Sequence, residues 1–154
     1  MTRKPLLGPE DCNCLAVRQA ARHITQFYDQ FLAASGLRTT QFSILAKLRR
    51  LGPMTINALA AEMVMDRTTL GRNILPLERD GLIAVKKGRR DRRSKELRLT
   101  EAGAAFFRAG VKGWTQAQKQ FEAAFGAKRT LDLRALLHAV AATDLGTTAV
   151  HADE

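Results

Sequence analysis

The sequence predicts a mainly α chain with one short β-hairpin, and three features predict it. Apolar residues recur at steps of three and four along most of the chain. Residues that start and stop helices punctuate that rhythm at short intervals. A single pair of short alternating segments, residues 83–87 and 95–99, interrupts it, with a densely charged turn between them.

Residues 1–11 read as a flexible arm. From Leu15 the apolar positions Val17, Ala20 or Ala21, Ile24, Phe27, Tyr28 and Phe31 define an amphipathic helix that ends near Gly36. A second helix starts at Thr39 or Thr40 as cap and turns Phe42, Leu45 and Leu48 inward. Gly52 provides its left-handed exit. Thr55 caps a third helix with Ile56, Leu59, Ala60 and Met63 inside. After a turn at residues 64–65, Asp66 caps a fourth, which buries Leu70, Ile74 and Leu77 and stops at Gly81. Pro76 falls within it and removes one backbone hydrogen bond, so a bend is expected there. The hairpin follows, with Leu97 and Leu99 inward. Thr100 then opens a long helix whose stripe is Phe107, Val111, Trp114, Gln118, Phe121 and Phe125, with Gly110 and Ala117 allowing close approach. A last helix begins near Leu131 and carries Leu133, Leu136, Leu137 and Val140.

Three helices, a turn, a helix, a hairpin and two more helices make a winged helix-turn-helix core flanked by helices. The expected division is a winged helix-turn-helix DNA-binding domain over residues 37–100 and an all-helical dimerisation region over 12–36 and 101–145. A tail follows over 146–154. The terminal helices have apolar faces that a small core leaves uncovered, and a second copy would cover them.

With 154 residues, of which 45% are apolar, the chain is sized for one domain or one domain with a helical extension. A formal charge of +10 points to a polyanionic partner, either nucleic acid or an acidic membrane surface. The membrane reading calls for a helix with opposed cationic and apolar faces. Here the densest charge lies on the hairpin instead. No apolar run approaches the roughly 18 residues of a membrane span, and the first residues lack the apolar centre of a secretory leader. Cys12 and Cys14 are too close to bridge each other readily and too few for a disulfide scaffold. A cytoplasmic protein without cofactor or metal is expected.

Catalysis has no support. There is no GxGxxG, phosphate loop, HExxH or GxSxG, and Ser35, Ser43 and Ser94 have no placed partners. The outer face of the fourth helix instead gathers Arg67, Thr68, Thr69, Arg72 and Asn73 near its N-terminus. Arginine can read guanine edges, asparagine can read adenine, and a threonine methyl can pack on thymine. A recognition helix brings just that end to the bases. Isolated arginines on a helix are usually solvated surface; the helix-turn-helix context favours contact with double-stranded DNA.

Residues 86–98 hold eight basic side chains against two acidic ones. A solubility patch would be served as well by balanced charge, whereas this segment repels itself without a partner. Lys87, Arg89, Arg90 and Arg92 are the expected phosphate contacts. Asp91 and Arg93 are expected to structure the tip, Arg93 by turning inward to an acidic residue of the core.

Taken together, these residues resemble the MarR family of bacterial transcription regulators. The resemblance is sharpest in "DRRSKELRLTEAG", where Asp91, Arg93, Leu99 and Thr100 match the family's wing motif, and extends to "LERDGLI" at the exit of the fourth helix. It implies a homodimer on a pseudo-palindromic operator, usually a repressor, and often one released by a small aromatic or phenolic effector or by an oxidant. Arg18, His23, Tyr28, Phe42 and Phe106 are the candidate effector pocket; a surface arginine, an interface histidine and core aromatics are the plainer alternative. Cys12 and Cys14 are the candidates for a redox-responsive regulator, against the plainer role of small residues at a helix start. A non-specific architectural DNA-binding protein is the remaining alternative.

Overall fold

The computed structural model describes residues 8–146, so most of the expected arm and tail, residues 1–7 and 147–154, lie outside the described residues. Pro9–Asp11 form one 3-10 turn. Helix α1 (Asn13–Leu32) follows, with Cys12 at its cap. The apolar rhythm carried that helix to Gly36, but its α-helical part stops at Leu32. A 3-10 turn over Ala33–Ser35 completes it, and Gly36 exits at φ 75°.

Helix α2 (Thr39–Leu51) buries Phe42, Ile44, Leu45 and Leu48. The expected cap at Thr39 or Thr40 is corrected: Arg38 occupies the cap position. The Thr39 N–H and hydroxyl both donate to Asp29 Oδ1 of α1, each at 2.7 Å. A carboxylate is a stronger acceptor than a neutral hydroxyl. The end of α2 is therefore tied to α1, not closed by its own side chain. Gly52 exits α2 at φ 80° and ψ −169°, a region open essentially to glycine alone.

Strand β1 (Met54–Thr55) leads into α3 (Ile56–Met63), whose cap is Thr55 as expected, its Oγ1 accepting from the Ala58 N–H at 3.1 Å. Val64 then takes a left-handed conformation at φ 51°, and the Met65 N–H returns to the Ala60 carbonyl at 2.9 Å. A β-branched residue is strained there. The turn between the two helices is thus held by its flanking hydrogen bonds against the local preference of the chain.

Helix α4 (Arg67–Arg79) runs through Pro76 and buries Leu70, Ile74 and Leu77 at 0%, 4% and 1% exposure. Full burial of a side chain of this kind stabilises the fold by about 1.5–3 kcal/mol. Strands β2 (Ile83–Lys87) and β3 (Lys95–Leu99) have the expected bounds and pair antiparallel, with Val85 opposite Leu97. The sheet order is β1-β3-β2. Two residues after Pro53 are too few to show alternation; β1 exists because Met54 and Thr55 pair with Leu97 and Glu96.

Helix α5 (Glu101–Phe125) is capped by Thr100, whose Oγ1 accepts from the Gly103 N–H at 3.0 Å and donates to the Gly81 carbonyl at 2.6 Å. Its glycines permit the close approach expected of Gly110: a Cβ there would stand 2.9 Å from Phe42 Cδ2, and one at Gly113 would meet the Phe31 carbonyl. The core is one cluster, drawing on Leu32, Leu45, Leu48, Leu59, Leu70, Leu77, Ile83 and Leu97.

Helix α6 (Ala127–Ala142) begins four residues before the expected Leu131, because Gly126 at φ 103° already ends α5 and the buried Thr130 donates its hydroxyl to the Gly126 carbonyl at 2.8 Å. Compact packing divides the chain into a unit reaching Ala117 and another from Gln118 onward. In the second, Phe121 and Phe125 stack at 5.5 Å and Arg129 lies over Phe125 at 4.2 Å. Leu131, Leu136, Leu137 and Val140 of α6 are exposed.

Candidate nucleic-acid interface

Helix α4 starts where the chain can present its side chains without distorting its core face. The Asp66 carboxylate accepts from the Thr69 N–H at 2.8 Å and from the Thr69 hydroxyl at 2.6 Å. The Thr69 hydroxyl first, and its N–H second, hold the Asp66 carboxyl below its ordinary value. Arg67, Thr68, Thr69 and Arg72 are exposed and Asn73 is half-buried. Thr69 therefore belongs to the cap as well as to the outer face. Asn73 donates from Nδ2 to the Thr69 carbonyl at 2.9 Å, so its amide must release that bond before it can read a base edge.

The wing is built at its tip by Asp91. Its carbonyl accepts from the Ser94 N–H at 3.1 Å and from the Ser94 hydroxyl at 2.8 Å, and its Oδ1 accepts from the Arg93 N–H at 2.9 Å. The Gly88 N–H closes the loop on the Ser94 carbonyl at 2.8 Å. This compact turn leaves Lys87, Arg89, Arg90 and Arg92 exposed. The expected inward ion pair of Arg93 is absent among the described residues, and Arg93 is exposed. The ladder ends at the Lys87–Lys95 pair, so Arg93 lies beyond it, where only its main-chain N–H is held. Arg93 lines an open cleft of about 590 Å³ between the wing, α3 and α4.

Sequence reasoning missed Glu96. Its Oε1 accepts from the Arg89 N–H at 3.4 Å and its Oε2 from Arg98 at 3.3 Å, both side chains of the ion pair being about one-fifth exposed. The signal was present: opposite charges two apart on a strand share a face.

A second cleft, of about 420 Å³, lies between α1, α2 and α5 and brings together Tyr28, Phe42, Phe107 and Trp114. Phe42 stacks on Phe107 at 5.0 Å and on Trp114 at 6.2 Å. Of the five residues expected there, Tyr28 and Phe42 line it. Arg18, His23 and Phe106 are exposed and do not. The cations at this cleft are Lys47, paired with Glu62 at 3.1 Å, and Arg50, which has no ion pair among the described residues.

Cys12 and Cys14 are both free and exposed, and Cys12 Sγ accepts from the Leu15 N–H at 3.4 Å. No group of three or more His, Cys, Asp or Glu side chains could hold a metal ion among the described residues, nor is any helix there long and apolar enough to cross a membrane.

A sequence model of the MarR family matches residues 37–95. The transcriptional regulator MosR of M. tuberculosis, solved in complex with DNA, is 38% identical; the match covers 84% of this chain and 96% of MosR at a TM-score of 0.73. The HTH-type transcriptional regulator YwoH of Bacillus subtilis is 33% identical over 85 residues, 55% of this chain and 61% of YwoH. The transcriptional activatory protein BadR of Rhodopseudomonas palustris is 33% identical over 88 residues, 55% of this chain and 50% of BadR. The chain thus spans between half and three-fifths of these two curated relatives.

Proposed function

Because this chain belongs to the MarR family of DNA-binding transcriptional regulators, we propose that it acts as a homodimer on a pseudo-palindromic operator and represses where that operator overlaps a promoter. One observation carries the reading. Helix α4 buries Leu70, Ile74 and Leu77 and presents Thr68 and Arg72 on its opposite, exposed side, with Arg67 exposed in its first turn, next in the chain to a wing whose Arg89, Arg90 and Arg92 are also exposed. A helix so mounted fits the major groove, and a cationic ribbon beside it fits the phosphates. MosR, solved with DNA, supports the partner. The exposed leucines of α6 support a second copy, since apolar groups left in water gain from a partner.

The test is selection of bound fragments from random duplex DNA. The enriched site should be two-fold, with half-site centres about one helical turn apart. R67A should then lose ~1–3 kcal/mol on that site for each base contact removed and little on random duplex. Equal binding of selected and random duplexes by the wild-type chain would instead mark a non-specific architectural protein.

The cleft of Tyr28, Phe42, Phe107 and Trp114 supports a small aromatic effector, with Arg50 as the cation for an acidic group on its rim. Titrating aromatic carboxylic acids into the protein–operator complex should release the duplex, and R50A should raise the concentration required. Release that is identical in R50A would place the acid elsewhere.

A further inference from the structure

A third cleft, of about 340 Å³, forms where α1, the start of α2 and α4 meet, and two guanidiniums from separate elements line it: Arg38 and Arg72. Neither makes an ion pair among the described residues. A guanidinium offers five N–H donors and no acceptor, so the two cannot satisfy each other. The carboxylate that also lines this cleft, Asp29, already accepts two 2.7 Å hydrogen bonds from Thr39 through Oδ1. Thr40 and Gln41 also line it and add a hydroxyl and an amide. Behind them lies the N-terminus of α2, where the cap residue Arg38 has no acceptor to offer. Its own N–H donates instead to Gln41 Oε1 at 3.0 Å. The two guanidiniums and the Thr40 hydroxyl suit a tetrahedral oxyanion, and the forked arginine geometry suits phosphate.

We propose that this cleft is a phosphate site and that it takes one phosphodiester group of the DNA backbone; the proposal rests on the DNA-binding reading above. The choice of backbone over a free phosphate comes from Arg72, which belongs at once to the cleft and to the exposed side of α4. A phosphate held between Arg38 and Arg72 fixes how deeply α4 sits in the groove. Through the Thr39–Asp29 bonds it also ties that depth to α1.

The test uses the full chain and the selected duplex, with each backbone phosphate replaced in turn by a neutral methylphosphonate. At one position in each half-site the replacement should weaken wild-type binding roughly five- to tenfold and should not weaken R38Q further. R38Q should lower the slope of log affinity against log salt by about 0.9, and R38K should restore most of it. Melting curves of R38Q check that α2 is intact. A variant that melts like wild type yet stays sensitive to every phosphate that wild type senses overturns the proposal. So does inorganic phosphate at constant ionic strength, if it stabilises wild type but not R38Q while the two bind DNA equally; the cleft then holds a free anion. A wild-type chain that binds no duplex sinks the DNA-binding reading itself, and is seen before any variant is compared.

Discussion

The triple variant R89A/R90A/R92A should lose about two orders of magnitude in affinity near physiological salt, and lose it equally on selected and random duplexes. The magnitude follows from counterion release. Each phosphate neutralised contributes roughly 0.9 to the slope of log affinity against log salt, so three contacts should remove about 2.7 from it. The three arginines are exposed, and none forms an ion pair among the described residues. Their removal therefore leaves no buried charge behind, and the melting temperature should hold. Asp91 keeps its bonds to Arg93 and Ser94, which use main-chain groups and the Ser94 hydroxyl. The measurement is binding at several salt concentrations. A slope that does not change would show that the wing stays off the duplex; a loss confined to the selected site would make these side chains base readers.

How far the interface could be read from the sequence depended on whether its cause was local. Asp66 and Thr55 were legible as caps because a short polar residue before an apolar run bonds its own helix, as both do. Leu70, Ile74 and Leu77 were legible because their spacing matches the helical period, and the hairpin because Leu97 and Leu99 alternate with charge. The bond from Asp29 to Thr39 spans ten residues and crosses between helices, so no pattern within α2 announces it. No local pattern singles out Arg38, whose cleft forms only where α1 and α4 meet the start of α2. The aromatic cleft shows the limit of periodicity. Phe106 and Phe107 are adjacent and equally apolar. The helical stripe already put Phe107 inward, yet Phe106 stood in the candidate pocket; the structure sets Phe107 against Phe42 and leaves Phe106 41% exposed. Arg93 shows the converse, since a resemblance to the family's wing motif identifies the residue but not where its side chain goes.

The last residue of that motif stretch, Gly103, has a cause that only packing reveals. It lies in the first turn of α5, in an ordinary helical position where glycine is worse than alanine by roughly 1 kcal/mol. A Cβ there would meet the Leu82 carbonyl oxygen and stand 2.8 Å from Leu99 Cδ1. The first obstacle is backbone at the foot of the wing, and the same carbonyl accepts the Thr100 N–H at 3.2 Å. It cannot rotate away as a side chain could. G103A should therefore destabilise the chain by about 3 kcal/mol, the upper end for overpacking, lowering the melting temperature by roughly 6–12 °C. Gly71 in α4 supplies the control, because a Cβ there meets nothing within 4 Å. G71A should leave stability unchanged or raise it by up to about 1 kcal/mol. The same substitution thus takes opposite signs in two helices of one chain, by contact alone. If G103A melted like G71A, the foot of the wing would be free to yield, and the attachment of the hairpin to α5 would be too soft to aim the wing at a phosphate.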